Sequence, residues 1–139
     1  MGLQLFQPPV PRGVLLGEDP ISAHISVPDH VDRLLREACY DCHSDETRWP
    51  WYARVSPVSW LVAKDVQQGR GNLDFTRWSM HPVVEPTPLQ RLTWICRDIR
   101  EGIMPPSLYE SLHPEARLSD EEKEEIGAWT TRALEDLTP

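Results

Sequence analysis

The residues most suited to chemistry are five in a row, Cys39-Tyr40-Asp41-Cys42-His43. Side chains at i and i+3 leave nearly the same side of a helical turn. Two thiols so placed reach one edge of a flat cofactor together. A haem carries two vinyl groups along an edge, and thiols adding across them form thioethers. The imidazole that follows at once is then held under the iron as an axial ligand. The spacing predicts one covalent haem c, with Cys39 and Cys42 as its attachment points and His43 on the iron. The competing chemistry is a structural zinc site of Cys39, Cys42, Cys96 and a histidine. It is the weaker reading: no second C-x-x-C or H-x-x-x-H pair exists, and Cys96 falls within a helical pattern.

A six-coordinate iron needs a second ligand, and Met104 is the candidate, in Gly102-Ile103-Met104-Pro105-Pro106. Pro105 biases Met104 toward an extended backbone, and the two prolines stiffen the loop that presents the sulfur. A thioether favours ferrous iron and raises the potential relative to two imidazoles. Met80, His81 and His113 are the competing donors. A large flat cofactor also needs flat apolar walls, and among six tryptophans Trp51 and Trp60 are chosen, with Pro57 and Pro105 beside them. Arg48, Arg54 and Arg77 flank the aromatic segments; they are read either as partners of haem propionates or as solvated surface. Cys96 is read as a buried, inert thiol, and His24 and His30 as exposed.

These groups must be carried by helices, because no β-period of useful length appears. Residues 1–27 are rich in turn formers and read as an extended arm or linker, leaving 28–139 as one domain. A first helix is predicted from Pro28 into the cysteine motif, with Val31, Leu34, Leu35 and Ala38 inward. Ser56-Pro57 opens a second, ending near Gly69, with Val58, Leu61, Val62 and Val66 as its apolar set. A short helical turn is placed within 72–81, carrying Phe75 and Trp78. Thr87-Pro88 starts another helix, with Leu89, Leu92, Ile95, Cys96 and Ile99 inward and Gly102 as its stop. Ser119 with Glu122 forms a capping box for the last, whose inner positions are Ile126, Trp129, Ala133 and Leu137. The fold class is all-α.

Composition narrows the partners. The 139 residues carry a net charge of −8, which opposes binding to nucleic acid and to anionic membranes. Fourteen prolines favour short helices joined by stiff loops. No run approaches a transmembrane helix, and Met1 to Gly13 shows no signal peptide. The expectation is therefore either a cytosolic protein or one whose export segment has been removed. No Walker loop, G-x-S-x-G, H-E-x-x-H or Rossmann fingerprint is present, and Met104 would close the open distal site a peroxidase needs. The chain reads as a non-enzyme.

Cys39 to Ser44, Glu46-Thr47, Trp49-Pro50-Trp51-Tyr52 and Pro57-Val58-Ser59-Trp60-Leu61 resemble the bacterial haem-binding domain family related to c-type cytochromes. So do Met104-Pro105-Pro106, Tyr109 and the run from Leu112 to Ser119. The resemblance implies a cytochrome c-like bundle of about four to five short helices around one covalent haem. It implies export before haem attachment, hence a periplasmic location, and one-electron transfer with His/Met-ligated low-spin iron to unidentified redox partner proteins. Asp45 departs from the pattern, where Asn is expected, and the usual N-terminal membrane anchor is absent. The alternative is a haem-based gas or redox sensor with a displaceable sixth ligand.

Overall fold

The structure, a computed structural model, describes residues 6–9, 18–79 and 86–139. Helix α1 (Asp29–Ala38) starts after Pro28, with Asp29 and Asp32 in its first turn where the helix dipole favours carboxylates. It buries Val31, Leu34, Leu35 and Ala38. The chain breaks at Cys39 (φ −124°) and resumes as α2 (Tyr40–His43), so the predicted continuous helix is two. Helix α3 (Val58–Asn72) runs past Gly69 to Asn72, with Pro57 ahead of its first turn. Helix α4 (Pro88–Arg100) opens on a capping box between Thr87 and Gln90, and beyond it Gly102 takes a left-handed φ of 69°. Helix α5 (Ser107–Leu112) was not anticipated; it starts directly after Pro106. Helix α6 (Asp120–Leu137) carries the predicted Ser119/Glu122 capping box. Among the described residues three 3₁₀ turns, Ile21–Ala23, Trp51–Arg54 and Pro114–Ala116, fill the connections. Among the described residues there is no strand, only an isolated bridge between Asp19 and Arg77, and the all-α class holds.

The core lies where α1, α4 and α6 meet. Leu92, Ile95 and Ile99 of α4 pack with Ile126, Trp129 and Ala133 of α6, and Leu34 and Leu35 of α1 join them. Leu89 and Leu137, expected inside, are exposed, because the outer turns of their helices extend beyond this core. Phe75 and Trp78 are buried in turns rather than in a helix; Tyr40 stacks on Phe75 at 5.0 Å and Phe75 on Trp78 at 6.3 Å.

The inner end of the supposed arm is also corrected. Ile21 and Ile25 are buried in the core. The Asp19 and Ile21 amides donate to the carbonyls of Thr76 (3.0 Å) and Phe75 (2.9 Å), and Trp129 Nε1–H donates to the Ser26 carbonyl at 2.9 Å. Two isoleucines four apart around a 3₁₀ turn present one apolar face, which the proline-rich composition obscured. Among the described residues no helix is long and apolar enough to cross a membrane.

Candidate functional site

His43 ends α2, and its ring is oriented from behind. Nδ1 lies 2.9 Å from the Gly69 carbonyl and 3.0 Å from that of Leu73, both at the C-terminal end of α3. Carbonyl oxygens only accept, so Nδ1 carries the hydrogen and Nε2 keeps its lone pair. Burial pushes the imidazole pKa down, holding the ring neutral. A neutral imidazole with Nδ1–H donated to backbone is the form in which histidine ligates iron through Nε2. The α2–α3 contact behind it is close because residue 69 is glycine: a Cβ there would stand 2.5 Å from the Cys42 carbonyl oxygen.

His43 lines a cavity of about 650 Å³ together with Cys39, Cys42, Met104 and Pro105. Its walls are mainly apolar. Helix α3 contributes Val58, Leu61, Val62 and Gly69, and α4 contributes Trp94, Ile95 and Ile99. Both cysteines are free thiols. Burial, reinforced by the neighbouring Cys42, pushes the Cys39 thiol up to about 12; burial, with Asp41 and Asp65 nearby, pushes Cys42 up to about 11. The donor set fits a haem. A mainly apolar cavity of about 650 Å³ is lined by two thiols, a neutral imidazole with an available nitrogen and a thioether sulfur.

A polar network braces the rim. The buried Asp41 carboxylate accepts from the Arg48 amide at 2.9 Å, from Arg48 Nε and Nη2 at 3.2 Å, and from the Tyr109 hydroxyl at 2.6 Å. Burial and this carboxylate drive the Tyr109 pKa up, so the phenol stays a donor. Tyr109 stacks on His113 with ring centroids 4.4 Å apart, and His113 Nε2 lies 2.5 Å from the Tyr52 hydroxyl.

Of the residues predicted from sequence, Cys39, Cys42, His43, Met104 and Pro105 share the cavity. Trp51, Pro57 and Trp60 do not line it, which corrects the expectation for these three. Trp51 is 78% exposed, against the edge of Tyr52. Pro57 precedes α3 and is exposed. Trp60 lies on the flank of α3 opposite the inward row Val58, Leu61, Val62 and Asp65, and its Nε1–H donates to the Phe6 carbonyl at 3.1 Å. The aromatic wall is instead Trp94, Tyr52 and Tyr109, with Phe75.

Other donors and charges are accounted for as well. His113 is outside the lining and engaged on both nitrogens, by Tyr52 and by Glu115 at 3.2 Å. Met80 and His81 lie outside the described residues. Arg48 is held by Asp41, and Arg77 by Asp74 at 2.9 Å and by Asp45, the residue standing where Asn was expected. Arg54 is exposed and off the cavity. The basic residues that do reach the cavity, Arg91 and Arg97, belong to α4. They sit on the same helical face as Trp94 and Asp98, a polar interruption of the apolar row that the sequence did contain. Cys96 is half-buried and does not line the cavity with Cys39 and Cys42. Among the described residues no three His, Cys, Asp or Glu side chains group as a metal site.

Comparison with known proteins agrees with the donor set. A family profile described as a haem-binding domain matches residues 1–132. The cytochrome c peroxidase Ccp of Escherichia coli (strain K12) is 29% identical over 113 residues, 78% of this chain and 24% of that protein. The chain thus spans about a quarter of that relative's length. No solved structure matches.

Proposed function

This chain belongs to the haem-binding domain family, and from that premise we propose that it carries a single haem c, joined to Cys39 and Cys42, ligated by His43 and Met104, and used for one-electron transfer. The observation that carries the reading is the pinned imidazole: Nδ1–H held by the Gly69 and Leu73 carbonyls at 2.9 and 3.0 Å, in a cavity shared with both thiols and the Met104 side chain. When bound, the haem supplies a ferric/ferrous couple. The chain's own residues supply the rest. The two thiols anchor it by bonds that survive redox change. The α3 carbonyls fix the imidazole's tautomer and direction. Apolar walls from α3 and α4 exclude water, and the cis-Pro105 loop offers a sulfur.

The reading is of an electron carrier rather than an enzyme, exported to the periplasm for haem attachment and working with redox partner proteins. The relative's name includes peroxidase, but a Met104 sulfur, if bound to the iron as proposed, would occupy the position a peroxide would need. The test is an absorption spectrum of protein made in a host competent for haem attachment. Split low-spin bands on reduction, haem retained after denaturation, and no carbon monoxide binding at neutral pH are expected. Carbon monoxide binding would turn the reading to a sensor with a displaceable sixth ligand, and colourless protein would end it. Met104→Ala should become high-spin and bind carbon monoxide.

A further inference from the structure

Arg91 is the unusual charge of this molecule. It lies on α4, lines the cavity, and is 3% exposed. Nη1–H donates to the Trp78 carbonyl, and the guanidinium lies 5.5 Å from the centre of the Trp78 ring. Nε is buried without a hydrogen-bond partner. Other arginines have carboxylates: Arg36 with Asp32, Arg48 with Asp41, Arg77 with Asp74, Arg97 with Asp98. Arg91 has no ion pair among the described residues, although it is more deeply buried than any of these. Guanidinium does not lose its proton in proteins, so neutralisation is not open to it. A fold that buries such a cation beside a cavity is completed by an anion arriving with whatever fills that cavity.

We propose that Arg91 is the receptor for a carboxylate of the cavity's occupant, which on the haem reading above, and resting on it, is a haem propionate. The carboxylate accepts from Nε–H, while the bond from Nη1–H to Trp78 and the stacking on its ring hold the guanidinium in place. This assigns to a buried residue of α4 the role that the sequence suggested for Arg48, Arg54 or Arg77, two of which are already held by carboxylates.

The experiment compares holoprotein of wild type, Arg91→Lys and Arg91→Met, with haem content checked by the alkaline pyridine spectrum. At fixed solution potential, Arg91→Met is expected to lower the ferrous-to-ferric ratio about tenfold, the weight of one charge roughly 10 Å away at an effective dielectric constant near 20. Arg91→Lys, which keeps the charge, should recover most of it. Arg91→Met with full haem, a normal melt and a ratio within about twofold of wild type overturns the inference alone; wild type without haem overturns it together with the haem reading. Should Arg91→Met fail to fold, wild type decides by itself. With haem carboxylates labelled with ¹³C and iron ferrous, one signal is expected to keep its ionised position down to about pH 4, since an adjacent cation lowers a carboxylate pKa by roughly 1–3 units. Two carboxylates titrating together near pH 5 would overturn it.

Discussion

Gly69→Ala tests the support of the imidazole, because two effects of opposite sign compete there. On an open helix, alanine is more stable than glycine by about 0.5–1 kcal/mol. Here the new Cβ would meet the Cys42 carbonyl oxygen at 2.5 Å, its carbon at 3.1 Å and Cys42 Cβ at 3.2 Å. Restoring ordinary contact requires α3 to retreat from α2 by roughly 1 Å. The bond from His43 Nδ1–H to the Gly69 carbonyl, 2.9 Å now, would stretch beyond hydrogen-bonding range, leaving Leu73 as the remaining acceptor. Overpacking costs about 1–3 kcal/mol and the weakened bond about 1. The propensity gain offsets part, leaving a loss of about 2 kcal/mol and a fall in Tm of about 6 °C for a chain of this size. The assay is a thermal melt by circular dichroism, run beside Gly71→Ala, where a Cβ meets nothing within 4 Å and stability should hold or rise. A Gly69→Ala protein that melts at or above wild type, with an unchanged haem spectrum, would refute the reasoning.

Ser119→Ala removes one half of the α6 capping box, whose hydroxyl accepts from the Glu122 amide at 3.1 Å, and should cost about 1 kcal/mol, read as a Tm about 3 °C lower. Trp51→Ala and Trp60→Ala should leave the haem absorption bands where they are, whereas Trp94→Ala, which opens the cavity wall, should move them; the reverse pattern would mean that the wall is misassigned. Tyr109→Phe deletes one donor to the buried Asp41 carboxylate and should cost about 1.5–3 kcal/mol, read as a lower urea midpoint with an unchanged m-value.

The parts of this structure that local chemistry dictates were legible in the sequence. Thr87-Pro88 and the Ser119 box announce α4 and α6, Gly102 marks the exit from α4, and the haem-binding character read from the C-x-x-C-H string agrees with the family profile. The parts that tertiary context decides were not. Trp51 and Trp60 were chosen for size, but size does not say which way a helix turns. The inward row of α3 runs through Val58, Leu61 and Val62, and position 60 faces away. Helix α5 is six residues between prolines, too short to show a period. Burial of Ile21 and Ile25 depends on Phe75 and Thr76, more than fifty residues later. Arg91 carries no signal in the sequence that sets it apart from other helical arginines; only the fold shows the charge enclosed beside Trp78.

The Tyr109–Asp41 bond has a kinetic consequence. Helix α5 begins one residue after Pro105-Pro106, so this 2.6 Å contact ties the strand of chain bearing Met104 to the residue beside Cys42. Breaking a bond to a carboxylate worth about 2 kcal/mol confines any outward swing of that wall to a few molecules in a hundred at most. If Met104 holds the iron as proposed, a competitor for its place must wait for that latch. Its uptake rate would therefore level off as its concentration rises, at a ceiling set by how often Tyr109 lets go.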